Sequence, residues 1–249
     1  MDNIKIEICA GSLSSAVTAQ NGGANRIELC TALEVGGLTP SAAVILETRK
    51  RLTIGVHVLI RPRAGDFVYS DDEWLMIQND IIFCRDNGCD GVVVGCLNNE
   101  GTFDLGKMEK MADLAYPMDI ICHRAFDRTN NAEIALQQLI DLKYQRVLTS
   151  GQAASAPEGK NKLKELVALA ENKIEIMPGS GVQVSNLKDL IEYTQARHFH
   201  LTAKKSIKSN FKSNDTGVKF NLNSDRENDY WETDLDLVRQ AVTIANDEQ

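Results

Sequence analysis

The sequence predicts an α/β fold, a TIM-type (β/α)8 barrel in which residues 1–249 form a single domain. Three observations predict it: eight short β-rich runs recur along the chain, amphipathic stretches of helical length separate them, and 249 residues is a length that such barrels commonly reach as one domain. Strands that alternate with helices pair in parallel through right-handed crossovers. A doubly wound open sheet is the competing arrangement, but the first strand–helix turn, CAGSLSS, lacks the G-x-G-x-x-G pattern, and eight units suit closure.

In chain order, IKIEIC (4–9) leads to a helix over 12–21, RIELC (26–30) to one over 41–51, and GVHVLI (55–60) to one over 72–87. GVVVG (91–95) precedes 104–115, DIICH (119–123) precedes 131–142, and RVLTS (146–150) precedes 158–171. KIEIM (173–177) precedes 186–194, and HFHLT (198–202) is separated from a last helix, 234–247, by about thirty polar residues. Asp71-Asp72 and Ser185-Asn186 read as N-terminal caps of the third and seventh helices. The segment 203–232 far exceeds the usual connection of about 2–6 residues. It follows the eighth strand on the face where barrels keep their sites, so a lid or a subunit contact is expected.

Composition narrows the function. The chain is 43% hydrophobic and 25% charged with net charge −8, which supports a full core and argues against a nucleic-acid binder with a basic face. No apolar run approaches the ~20 residues that cross a bilayer. The N-terminus MDNIKIEICAG reads directly as a strand, so a cytoplasmic protein is expected. Six cysteines without a CxxC pair or zinc-finger spacing point to free thiols or soft-metal ligands in a reducing compartment.

Side chains alternate across a strand, and the apolar set marks the face turned to the helices. Ile4, Ile6 and Ile8 leave Lys5, Glu7 and Cys9 on the other face; Ile27 and Leu29 oppose Arg26, Glu28 and Cys30; Val56, Val58 and Ile60 oppose His57, Leu59 and Arg61. The same parity turns His123, Glu175 and His200 inward. Buried charge must be paired, so these groups are expected to meet each other or a ligand.

Cys9 and Cys30 each stand two residues after a glutamate, near the ends of strands expected to be neighbours ~4.8 Å apart. Soft thiolates favour Cu(I); two small residues filling the rim as reduced thiols is the alternative. IRPRAGDFVYSDDE (60–73) offers Arg61 and Arg63 as forked donors for carboxylate or phosphate, with Asp66 able to pair with either. CHRAFD (122–127) offers His123 as a general base, Arg124 as an anion partner and Asp127 to orient one of them. LTSGQ (148–152), with Ser150, and MPGSGV (177–182), with Gly179 and Gly181, are turns that expose backbone N–H groups, the second after strand seven in the region barrels often use for phosphate.

Together IEIC (6–9), GGANRIELC (22–30), GGLTPS (36–41), IRPRAGDFVYSDDE (60–73), HRAFD (123–127), RVLTSGQ (146–152), IMPGSGV (176–182) and FHLTA (199–203) resemble the CutC family of copper homeostasis proteins. The resemblance implies a TIM-like barrel, a cytoplasmic location, a homo-oligomer with a dimer favoured, and a Cu(I) role whose strand-end thiols map to Cys9 and Cys30. Two readings stay open. In one, Cys9 and Cys30 bind Cu(I) for buffering or delivery. In the other, an enzyme acts on a small phosphorylated or carboxylated metabolite: Arg61 and Arg124 clamp the anion, His123 or His57 moves a proton, Glu28 or Asp66 orients the base, and Ser150, Gly179, Gly181 and His200 complete the pocket.

Overall fold

The computed structural model describes residues 4–211 and 228–248. Its central sheet holds eight strands: β1 (Lys5–Ala10), β2 (Arg26–Leu29), β3 (Gly55–Leu59), β4 (Gly91–Val94), β5 (Asp119–Cys122), β6 (Arg146–Thr149), β7 (Glu175–Pro178) and β8 (His198–Leu201). All run parallel in the order β7-β6-β5-β4-β3-β2-β1-β8, each hydrogen-bonded to its neighbour. β7 and β8 then lie side by side and bring the sheet round into a nearly closed barrel. The ladder is missing there, and Pro178 in β7 has no N–H to give.

The outer ring is α1 (Leu13–Asn21), α2 (Ala42–Arg51), α3 (Asp71–Asp86), α4 (Leu105–Ala115), α5 (Ala132–Asp141), α6 (Lys160–Ala170), α7 (Val184–Thr194) and α8 (Leu235–Asp247). Both predicted helix caps differ from the expectation. Ser70 caps α3 in a reciprocal box with Glu73, which moves Asp71 and Asp72 into the first turn, where their charge suits the helix dipole. α7 begins two residues early because Gln183 and Asn186 form the same kind of box, so Ser185 lies inside the helix.

Strand parity divides the apolar residues into two clusters. The large one, between sheet and helices, takes Ile4, Ile6, Ile8, Ile27, Val56, Val58, Ile120 and their counterparts. The small one fills the barrel axis with Cys9, Cys30, Leu59, Val93, Ile121, Leu148 and Met177. Seven residues cannot fill that interior, and polar side chains occupy the rest.

The long segment after β8, expected as a lid or subunit contact, contains a hairpin, with β9 (Lys204–Ile207) antiparallel to β10 (Tyr230–Thr233). The Thr233 N–H donates to Ser15 Oγ at the start of α1, and Lys205 pairs with Asp234, the cap of α8. The hairpin is therefore fastened to the barrel rim. Residues 212–227, the middle of the expected lid, lie outside the described residues.

Candidate functional site

The barrel interior is graded along its axis. Toward the strand beginnings stands an ion network centred on Glu7. Arg26 Nε donates to Glu7 Oε2 at 2.5 Å, His200 Nδ1 meets Oε1 at 2.8 Å, and His57 Nδ1 approaches Oε2 at 3.5 Å. Burial alone would raise the Glu7 pKa; the Arg26 charge and the two histidines outweigh it and hold the carboxyl well below the usual range. Arg146 extends the network, donating to Asp119 at 2.6 Å and lying 3.4 Å from His57 Nε2. Glu7 is thus the ion-pair hub that a buried charge requires.

Glu28, two residues further along β2, has no such partner. Its Oε1 accepts from the Cys9 thiol at 3.7 Å, and its Oε2 is buried without a hydrogen bond. Burial pushes its pKa up to about 7 against the opposing pull of His200. Cys9 Sγ lies 3.5 Å from Cys30 Sγ, and the Cys30 thiol donates to the Ala10 carbonyl at 3.7 Å. The hydrogen bond with Cys30, followed by burial, raises the Cys9 pKa well above the ordinary thiol value. Donor atoms of Cys9, Glu28 and Cys30 lie within 4.8 Å of one another; those of Glu7, Glu28 and His200 do likewise. The second set is already engaged with Arg26, which leaves the thiol set as the freer one.

Above the thiols a cavity of about 410 Å³ opens at the strand ends. Cys9, Glu28 and His200 reach it from below, Leu33, Leu59 and Leu148 form apolar wall, and Arg61, Phe67, His123, Arg124, Gly181 and Thr202 surround the mouth. His123 is 4% exposed; its Nδ1 accepts from the Ala125 N–H at 3.1 Å, so the ring proton sits on Nε2, which is buried and unpartnered. Burial and then the Arg61 charge lower its pKa to about 3. The ring is therefore a neutral hydrogen-bond donor near pH 7, and the base role expected for it does not match this tautomer.

Arg61 is held by backbone: Nη1 donates to the carbonyls of Val35 and Gly37, and Nη2 to that of Gly65. Phe67 packs between it and His123, with the guanidinium 5.1 Å from the ring centre and the two rings 4.9 Å apart. Arg124 donates through Nε to Asp127 at 2.8 Å and through Nη2 to Ser150 Oγ at 3.0 Å. Asp127 also accepts from Thr149 Oγ1 and the Ser150 and Gln152 N–H groups, so it fastens the β6 turn and orients Arg124 at once.

Not every expected site residue reaches this cavity. His57 belongs to the ion network below. Asp66 has a 69% exposed side chain, pairs with Arg63 at 3.0 Å, and lies in a side groove away from both histidines. Ser150 acts through Arg124, and Gly179 sits under Leu148 and His200 without lining the cavity. The sequence reading missed Gly95: a Cβ there would stand 2.7 Å from the His123 ring, so the glycine makes room for it. Its inward parity in GVVVG was the available signal. Phe67 had none beyond its neighbouring motif, whereas Thr202 shares the inward parity of His200.

Comparisons with known proteins agree with this architecture. A family model described as the CutC family matches residues 4–205. Family protein CutC of Chromobacterium violaceum is 42% identical over 239 residues, covering 96% of each chain. Its counterpart in Xylella fastidiosa is 41% identical over 241 residues, covering 97% of this chain and 88% of the other. Among solved structures, CutC of Streptococcus agalactiae, provisionally assigned to copper homeostasis by its name, has a TM-score of 0.77 at 33% identity, covering 80% of this chain and 98% of that one. A phosphoribosylanthranilate isomerase from Thermotoga maritima, with TM-score 0.55 and 10% identity over 97% of this chain and 98% of that one, shares the fold alone.

Proposed function

The chain belongs to the CutC family, and from that premise we propose that it serves copper homeostasis by binding Cu(I) between Cys9 and Cys30. One observation carries the reading: two buried Sγ atoms at the ends of neighbouring strands stand 3.5 Å apart, and one of them, Cys9, lines the cavity floor. Two sulfur donors suit a soft monovalent ion, which does not demand the four-ligand shell of a structural zinc site. Cys9 lines the cavity, which gives the cargo a way in. Loading requires the thiols to give up protons, and Glu28 Oε1, already accepting from Cys9, stands ready as the acceptor. Six free, buried thiols suit a reducing, cytoplasmic compartment. Exposed Tyr230 and Trp231 on the rim hairpin suit a contact in a homo-oligomer, a dimer being favoured.

A competition titration against a chromophoric Cu(I) chelator tests this. The wild type should withdraw one equivalent of Cu(I), and Cys9→Ser/Cys30→Ser should withdraw none. Equal competition by both proteins would refute the thiol site.

A second reading has its own observation. His123, with its unpartnered Nε2–H, and the oriented Arg124 share the cavity with Cys9, and a two-thiol metal site needs neither. They support an enzyme or binding protein for a small anionic metabolite, with phosphate and carboxylate both open at this level.

A further inference from the structure

We propose that the mouth of this cavity is a carboxylate subsite, formed by His123, Arg124 and Arg61, for a small monocarboxylate with an apolar body. The proposal rests on the metabolite reading and narrows it to one chemical class; the copper reading is independent of it.

The donors at the mouth are few and incompletely used. His123 presents Nε2–H, buried and without a partner, while its Nδ1 is committed to Ala125. The terminal nitrogens of Arg61 donate to three carbonyls, and its Nε is buried and unpartnered. Phe67 packs against both groups, and Arg61, His123 and Arg124 all line the same cavity. Arg124 has its plane fixed by Asp127 and Ser150, and its 43% exposed side chain leaves Nη1 open toward the cavity rim. An unmet buried donor costs free energy that a ligand's acceptor would recover.

Charge narrows the class. The Arg124 cation is matched by Asp127, whereas no acid among the described residues stands within ion-pair distance of Arg61. One uncompensated positive charge and open N–H groups on three side chains suit a single carboxylate, a monoanion with two acceptor oxygens. A phosphate monoester brings about −1.5 to −2 charges, more than the one uncompensated cation here offsets. Below the mouth, Leu33, Leu59 and Leu148 offer apolar wall to the rest of the ligand.

Isothermal titration of the full chain tests the assignment. Isovalerate and 2-oxoisovalerate are the carboxylate probes, isovaleramide is the neutral isostere, and inorganic phosphate and glycerol 3-phosphate form the competing series. The carboxylates should bind, and the amide should bind at least about tenfold more weakly, the scale of one charge-assisted hydrogen bond. His123→Phe keeps a ring but removes the donor and should lose about tenfold in carboxylate affinity. His123→Gln, whose side-chain amide can reach the Nε2 position, should stay within about threefold and separates a lost donor from a lost fold.

Equal binding of amide and carboxylate overturns the proposal, as does wild-type affinity in a folded His123→Phe protein. Preference for the phosphate series overturns it while leaving the metabolite reading standing. Silence toward both series overturns both. Cu(I) competition by His123→Phe should match the wild type; its loss would show that the two sites are one.

Discussion

His57 and His123 face the same barrel axis, yet their surroundings give them different chemistry. His57 sits among Glu7, Asp119 and Arg146, whereas His123 sits beside Arg61 and Phe67 with one nitrogen unused. Because burial and Arg61 keep His123 neutral down to about pH 3, its ring resists a proton that the unfolded chain accepts near pH 6.5. The unfolded state then binds more protons, so stability must fall as pH drops through the window from 6.5 toward 3. Each such ring contributes up to about 1.4 kcal/mol per pH unit. His198, pushed to about 3 by burial and then Arg26 and Arg146, adds to the same slope. Urea unfolding at pH 7.5 and 5.5 should show a smaller acid loss for His123→Gln than for the wild type. Equal losses would mean that the native ring takes up a proton. At this scale the sequence was informative about which face a side chain takes and silent about depth. His57 and Arg61 share a face on one strand, but four residues separate them by ~13 Å along it. Parity therefore grouped His57 with the mouth although it lies below the thiols. The partners of Arg61 come from loops at 35–37 and 65, whose paths no local pattern encodes.

Among elements, the positions where strands and helices nearly touch matter most. In β4 and just beyond it, Gly91 and Gly95 leave space where side chains from β3 and β5 cross the axis: a Cβ at Gly91 would meet the His57 ring at 2.7 Å. At Gly95 it would meet His123 Cε1 at 2.7 Å and Ala125 Cβ at 2.9 Å. The neighbour there is a rigid ring whose Nδ1 is already hydrogen-bonded, so it cannot give way cheaply. Gly95→Ala should cost about 1–3 kcal/mol, the usual range for overpacking, and it should displace the ring. Chemical denaturation together with the carboxylate titration checks both parts. A variant of wild-type stability with an undisturbed site would show that the barrel yields where this account makes it tight. Alternation of strand and helix was legible throughout because period-2 and period-3.6 patterns succeed one another cleanly. Caps were less so: Ser70 and Gln183 compete with good capping residues one to three positions away, and the reciprocal bonds to Glu73 and Asn186 decide.

For the whole molecule, the barrel keeps two kinds of interior apart. Charged residues close one end through the Glu7 network, and the other end remains an open cavity with Cys9 at its floor. The ladder runs unbroken from β7 through β1 to β8, and the hairpin and α8 brace the rim beside β1 and α1. The barrel itself was legible from eight repeated units. The hairpin was not, because Lys204–Ile207 and Tyr230–Thr233 are short, polar and far apart in the chain. The pairing of Cys9 with Cys30 follows from strand adjacency and parity, both visible before any coordinates, whereas the orphaned donors above them emerge only once the loops are placed. X-ray absorption at the copper edge of the protein loaded with one equivalent of Cu(I) is the most direct examination of the thiol site. Two sulfur neighbours at the copper of the wild type is the predicted result; a wild-type spectrum without sulfur would contradict it.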